Sequence, residues 1–360
     1  MCACGPVSQL FGGPAAWRDG EGLAGGARED CMQADPPFVS IIIPVKNEER
    51  ILGRCLEAIA RLDYPRDRVE VIVADGMSTD ASRDIAERHG ARVVPNGKGT
   101  VVAGRNRGFE AARGEFVAFT DADCVVSPDW LKEAVSAFTA GDIGGVGGVT
   151  IFPDQATDFQ KAVDVLFVMA GLARSTSHVE SAATERDVDD IPGCNAIYRR
   201  EALEKVMPLD ENLLTAEDVW LNWLLRERGY RQVLSGRVRL WHHRRSRPAL
   251  FLRQIYRFAI GRLQVGKRSA ALLKPVHLLA GLSVPLAAAV LIAGHLCKID
   301  GVAGALLVLG CAACIIAGIR RTRSVKAALY VPAVVGMFFG AWSLGFMREL
   351  FAPMRNVDGK

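Results

Sequence analysis

Gly114-Glu115-Phe116-Val117-Ala118-Phe119-Thr120-Asp121-Ala122-Asp123 decides how the rest of the chain is read. From Phe116 to Thr120 the residues are apolar, aromatic or β-branched, the pattern of a buried strand. The run then stops abruptly in two carboxylates one residue apart. A hard divalent cation such as Mg²⁺ or Mn²⁺ takes one or two carboxylates and completes its shell with water and phosphate oxygens. The carboxyl end of a strand is also where open α/β sheets keep their ligands. Alone, such a triplet fits a solvated turn as well as it fits a site, so its neighbours decide.

Upstream, strands and helices alternate. Val39 to Pro44 and Val69 to Ala74 predict buried strands, the second ending at Asp75, and Arg92 to Val94 predicts a short third strand. Between them, Glu49 to Leu62 places Ile51, Leu52, Cys55, Leu56 and Ile59 on one helical face. Ser78-Thr79-Asp80 supplies an N-cap for a helix to His89, and Thr100 to Ala112 is helical. Ser127-Pro128 opens another helix. This alternation with short links predicts an α/β fold, a mostly parallel sheet flanked by helices.

The last third differs. Half of the 360 residues are hydrophobic while 23% are charged, a balance that suggests two unlike parts. Pro275 to Cys297, Gly301 to Ile319 and Ala327 to Met347 carry no charged side chain other than histidine. Each is about long enough to cross a hydrocarbon core of ~30 Å at ~1.5 Å per residue, and none shows the polar face of a soluble helix. Arg320 to Lys326 is basic, whereas Lys298-Ile299-Asp300 is nearly neutral, so the positive-inside rule puts the first of these links in the cytoplasm. Three spans then place the preceding domain on the cytoplasmic side. Between Glu227 and Asp300 there is no carboxylate, while basic residues recur from Arg228 to Lys298, a surface for anionic head groups or substrate phosphates. The expected organisation is a disordered extension over 1–36, a cytoplasmic domain over 37–246, a basic interfacial helix over 247–274, three spans within 275–350 and a tail over 351–360. The nine cysteines show no framework spacing and read as reduced thiols.

Six elements in order carry a resemblance: Val39 to Glu48; Asp75-Gly76-Met77-Ser78-Thr79-Asp80; Arg105-Asn106-Arg107-Gly108; Asp121-Ala122-Asp123 with Pro128-x-Trp130-Leu131; Gly193 to Arg200; and Glu217-Asp218. Over roughly Phe38 to Arg262 the chain resembles family 2 glycosyltransferases of the GT-A fold. The resemblance implies an inverting, hexosyltransferase-type enzyme with a nucleotide-sugar donor and a divalent metal, Mg²⁺ or Mn²⁺. It implies that Pro44, Asn47, Glu48 and Asp75 line the base and ribose pocket, with Asp75 as base contact, and that Asp123 holds the metal. Asp121 would reach the ribose, or the metal through water, and His242 or His243 would complete the metal shell.

Chemistry agrees at several points. The planar fork of Arg105 suits diphosphate oxygens, although a surface ion pair would explain it equally. Asp218 opens an amphipathic stretch and would project from a helix N-terminus as general base, with capping as the plainer role. Gly193, Asn195 and Glu217 would belong to the acceptor side. Gln254-Ile255-Tyr256-Arg257-Phe258 looks like a degenerate Gln-x-x-Arg-Trp motif of processive synthases, and Arg257 could reach donor phosphate. Phe251, Ile255, Phe258 and Ala259 share one face of a helix expected to lie on the membrane.

The expected function is a membrane-anchored transferase with a lipid-linked or membrane acceptor and membrane lipids as neighbours. Alternatives are a polyprenyl-phosphate sugar synthase, a processive polysaccharide synthase, and an inactive nucleotide-sugar-binding scaffold. Nucleotidyltransfer is disfavoured because the loop Val45 to Arg50 has no glycine to cradle phosphate. The basic block abuts the spans, so no nucleic-acid partner is expected.

Overall fold

The computed structural model describes residues 35–151, 156–169, 185–242, 247–298 and 300–353. The expected extension (apart from 35–36), His243 and the end of the tail lie outside the described residues.

Residues 38–120 form the parallel half of the sheet. β1 (Val39–Val45) pairs in parallel with β2 (Val69–Asp75) on one side and β4 (Phe116–Thr120) on the other, and β3 (Arg92–Pro95) extends β2. Alternation of side chains divides β1 between two cores. Ile41, Ile43 and Val45 pack with α1 (Leu52–Ile59) and α4 (Trp130–Ser136), whereas Ile42 packs with α3 (Val101–Ala111). α3 lies close because Gly104 has no side chain: a Cβ there would stand 2.9 Å from Pro44 Cβ. Thr100 caps α3, its Oγ1 accepting from Ala103 N at 3.2 Å. The predicted cap at 78–80 begins its helix later, as α2 (Ser82–Arg88).

Beyond β4 the sheet changes character. Its order is β3-β2-β1-β4-β8-β6-β9-β5, with β7 on β9. Here β5 is Cys124–Val126, β6 Ile143–Ile151, β7 Arg186–Val188, β8 Asn195–Arg199 and β9 Arg231–His242. Of the eight pairings among the described residues only four are parallel, so the α/β class holds while the parallel character belongs mainly to the first half. β6 escapes a reading by hydrophobic pattern because it is Ile-Gly-Gly-Val-Gly-Gly-Val. Added Cβ atoms at Gly145 and Gly147 would stand 2.7 Å from the Tyr198 ring and 2.5 Å from Ile191, so the strand is bare because its neighbours fill the space. The pairing of β9 with β6 shifts register twice, between Ile143 and Gly145 and again at a bulge after Ser235. A bulge bends a strand, and β9 goes on to pair with β5 beside the Asp121–Asp123 turn.

The remaining helices are α5 (Asp158–Met169), α6 (Arg200–Leu203), α7 (Glu217–Glu227), α8 (Pro248–Arg268), α9 (Pro275–Leu296), α10 (Asp300–Thr322) and α11 (Val325–Leu350). Among the described residues, three stretches of helix are long and apolar enough to cross a membrane: Pro275–Leu296, Gly301–Thr322 and Val325–Leu350. The apolar face expected of α8 is largely buried inside the protein. Phe251, Ile255, Ala259 and Leu263 pack with Phe159 and Val163 of α5 and with Val331, Val334, Phe338 and Trp342 of α11. Of the four residues expected on that face, only Phe258 stays exposed. Gly345 of α11 allows this approach, since a Cβ there would press on the Tyr256 carbonyl. Lys267 Nζ closes the far end, donating to the Glu349 carbonyl and, at 2.8 Å, to that of Ala352.

Candidate functional site

The ends of β1 and β2 are stitched together by their loops. Asn47, in the left-handed region at φ 57°, donates its N–H to Ser78 Oγ (3.0 Å), and its Oδ1 accepts from Thr79 N (2.8 Å). Glu48 N–H donates to Ser82 Oγ at 2.8 Å. Asp75 is buried, and its carboxylate accepts from Ser78 N at 3.2 Å, which holds the turn through Met77 at φ 60°. Asn47, Glu48 and Asp75 thus line one pair of loops, while Pro44 lies inward against α3.

The second cluster surrounds Arg105. It projects from α3 and is only 2% exposed, so its charge needs partners. Nη1 donates to Glu217 Oε1 at 2.9 Å, Nη2 lies 3.8 Å from Asp121 Oδ1, and the guanidinium sits 5.2 Å from the Phe119 ring centroid. Burial pulls the guanidinium pKa down, but Glu217, Asp121 and Asp218 outweigh it and the net direction is up. Burial raises the Glu217 carboxyl, with Arg105 pulling back and Asp218 pushing further up. Asp121 moves up as well, by burial first and Asp123 later, although 37% of its side chain remains open. Gly193 closes over the guanidinium: a Cβ there would fall 2.5 Å from Arg105 Nη1.

These contacts place three residues of the expected site. Arg105, expected to meet diphosphate oxygens or an ion pair, makes ion pairs with Glu217 and Asp121. Glu217, expected on the acceptor side, meets that arginine. Asn195 is wholly buried and ties strands together: its Oδ1 accepts from Trp130 Nε1 (2.7 Å), and its Nδ2 donates to the Val149 carbonyl (3.2 Å) and that of Val238 (3.4 Å).

Asp218 and Asp123 face differently. Asp218, the second residue of α7, is half-buried and accepts from Gly193 N at 3.2 Å through Oδ2. Ala216 sets its direction, in the left-handed region at φ 63°. That loop rests on α8: Leu214 N donates to Gln264 Oε1 (3.0 Å), and Thr215 Oγ1 to the Arg257 carbonyl (3.0 Å). The Arg257 backbone therefore supports the loop that carries Asp218. On the other side, Asp123 Oδ1 stands 3.2 Å from His242 Nε2, joined by the β5–β9 pairing. A carboxylate and an imidazole at that separation fit adjacent positions around one divalent ion, whose ligands lie ~2.0–2.2 Å from the metal.

Two residues went unremarked in the sequence. Asp190 is pushed up to about 6, mainly by burial, with Arg262 pulling it back and Asp218 pushing it up. Arg262, on α8, is pulled down by burial. The acidic run Asp187-Val188-Asp189-Asp190 before Gly193 was the available signal for the first. Arg262 had no local signal, because its relation to Asp190 and Asp218 exists only once α8 docks.

Residues 40–207 match the model of the family described as Glycosyl transferase family 2. Glycosyltransferase AglE of Haloferax volcanii is 28% identical over 257 residues, spanning 69% of this chain and 81% of that protein. A dolichyl N-acetyl-α-D-glucosaminyl phosphate 3-β-D-2,3-diacetamido-2,3-dideoxy-β-D-glucuronosyltransferase of Methanococcus voltae is 24% identical over 231 residues, 60% of this chain and 70% of that protein. Among solved structures, the mannosyltransferase PcManGT from Pyrobaculum calidifontis, in complex with GDP-Man and Mn²⁺, superposes with a TM-score of 0.62 at 23% identity, covering 85% of this chain and 88% of that one, which shows a shared fold. Residues 40–207 are thus a glycosyl transferase family 2 domain of GT-A-like fold, on a chain that ends in three apolar helices.

Proposed function

We propose that this chain is a membrane-anchored, metal-dependent glycosyltransferase that moves a sugar from a nucleotide-sugar donor to a lipid-linked acceptor with inversion, using Asp218 as general base. The observation that carries the reading is the division of the acids around Arg105. Asp121 and Glu217 are engaged by that buried guanidinium, while Asp218, at a helix start, accepts from two backbone N–H groups, Gly193 through Oδ2 at 3.2 Å and Val219 through Oδ1 at 2.9 Å. A carboxylate oriented this way can take a proton from an acceptor hydroxyl as it attacks. One base opposite one leaving group gives a single displacement, hence inversion at the anomeric carbon.

The loops at Asn47–Glu48 and Asp75–Ser78 would receive the base and ribose, with their cross-stitching keeping the pocket preformed. Asp123 and His242 would hold the divalent cation, which when bound offsets charge on the departing nucleoside diphosphate. Arg105 would act indirectly, fixing the Asp121 side of the pocket and, through Glu217, the start of α7. Arg257 and Arg262, on the helix beside Asp218, would add positive charge for phosphate groups. The lipid-linked acceptor is supported by the apolar helices and by the dolichyl phosphate named for the Methanococcus relative. The basic link at 320–326 supports a cytoplasmic domain.

The test is donor binding to the full chain in detergent. Nucleoside diphosphates and nucleotide sugars are screened by thermal shift with Mn²⁺, with Mg²⁺ and with chelator. A shift for one base that needs metal and disappears in Asp123→Asn supports the reading and names the donor class. Absence of a metal-dependent shift with every nucleotide refutes the donor site and favours a scaffold.

A further inference from the structure

β5 and β9 assemble a second set of donors beside the acids. Cys124 lies directly opposite His242 in the antiparallel pairing, which puts both side chains on one face of the sheet. Cys194 enters from the turn before β8. One donor atom from each of Cys124, Cys194 and His242 lies within 4.8 Å of the other two. Asp123 Oδ1 stands beside two of these three, 3.8 Å from Cys124 Sγ and 3.2 Å from His242 Nε2. Around a four-coordinate Zn²⁺, with bonds of about 2.3 Å to sulfur and about 2.0–2.2 Å to nitrogen or oxygen, tetrahedral geometry sets ligand atoms roughly 3.3–3.8 Å apart. Cys124 is fully buried and Cys194 half-buried, so the sulfurs are sheltered.

We propose that Cys124, Cys194 and His242 form a three-ligand site for a thiophilic divalent cation, Zn²⁺ or Cd²⁺, with the fourth position left to water. Occupation replaces two thiol protons, released to solvent, and involves no redox change. Thiolates select such ions, whereas Mg²⁺ and Mn²⁺ prefer oxygen. His242 would be shared between the two kinds of cation, with Asp123 3.2 Å from it, so a thiophilic ion would displace the hard one and block donor binding. That inhibitory consequence rests on the proposed function; the binding does not.

The test uses the full chain in detergent, reduced and then freed of reductant, and titrated with Co²⁺ as a spectroscopic probe. The expected result is a thiolate-to-cobalt charge-transfer band that saturates at about one equivalent, bleaches when Zn²⁺ is added, and is lost in Cys194→Ser and in Cys124→Ser. Cys194 is the more open, so its variant keeps the test alive should Cys124→Ser not fold. A band that is absent, or that persists undiminished in the variants through other thiols such as Cys311 and Cys314, overturns the proposal. The Mn²⁺-dependent nucleotide shift gives a second readout. The Zn²⁺ concentration that halves it should rise about tenfold or more in Cys194→Ser, each protein compared with its own Mn²⁺ response; no change overturns the competition. A cysteine-dependent band without any Mn²⁺-dependent nucleotide shift leaves the thiophilic site standing and removes the donor-site reading, and the converse pattern does the opposite.

Discussion

Asp121 and Asp123 stand two residues apart, yet they belong to different regions. Asp121 joins the inward network of Arg105 and Glu217, under Gly193 and beside Phe119. Asp123 belongs to an outer set, the acids clear of that guanidinium, and pairs with His242 although less of its side chain is exposed than of Asp121's (15% against 37%); Asp218 belongs to the outer set too, at the start of α7 just after left-handed Ala216. Glu217 and Asp218 repeat the division, one on Arg105 and its neighbour on the Gly193 N–H. The difference teaches that an acid's role in such a motif follows from which cation or backbone group it meets. The inner set maintains a shape, and the outer set is the one we propose for chemistry.

The comparison can be broken experimentally, and the outer set offers the largest effect. Asp218→Asn should lower transfer by about 10²–10⁴-fold while donor binding and the unfolding midpoint hold; a matching loss of stability would move Asp218 into the inner set. Arg105→Leu should do the reverse. It strands two carboxylates, and removing one member of a buried ion pair costs about 3–5 kcal/mol, readable by denaturant unfolding in detergent. An unchanged midpoint with lost donor binding would return Arg105 to the role of a diphosphate clamp.

Asp190 sharpens the boundary between the sets. Its folded pKa, about 6, lies above the ordinary 3.8, and its Oδ1 has no hydrogen-bond partner. A raised carboxyl favours the folded state below pH ~4, and that contribution is lost as pH rises through ~6, a difference of order 2–3 kcal/mol. Asp190→Asn should therefore flatten the pH dependence of stability between about 4 and 6 and raise the midpoint at neutral pH; an unaltered slope would assign that titration elsewhere. The smallest effect belongs to Ala216, whose left-handed conformation costs roughly 1–2 kcal/mol for a residue with a Cβ. Ala216→Gly should stabilise the fold by no more than about 1 kcal/mol, because glycine also frees the unfolded chain. A drop in transfer without loss of stability would mean that the strained turn is what aims Asp218.

Legibility in the sequence followed the range of the interactions. β1, β2, β4 and their helices were readable because burial on both faces and short links leave a local pattern. β6 was not, since its glycines answer to Tyr198, Ile191 and Tyr230 on other elements. Among the site residues, the strand-end positions Asp75, Asp121 and Asp123 were readable from where a run of apolar residues stops. The inward turn of Arg105 and Glu217 was not, because it joins α3 and α7 across a separation of 112 positions in sequence. Asn195 misled for a similar reason: an amide beside a glycine looks like a substrate contact until Trp130, Val149 and Val238 claim it.

The docking of α8 between α11 and the Leu214–Thr215 loop has a practical consequence. The helix that buries Phe251, Ile255 and Ala259 against the last apolar helix is also the one whose Gln264 and Arg257 steady the approach to Asp218. The last apolar helix and Asp218 therefore share a support. A fragment cut before Pro248 would lose the floor beneath the Leu214–Thr215 loop, and one cut after Arg268 would carry a bare greasy flank in search of cover. For this chain, trimming away the apolar helices is an operation on the turn that leads to Asp218.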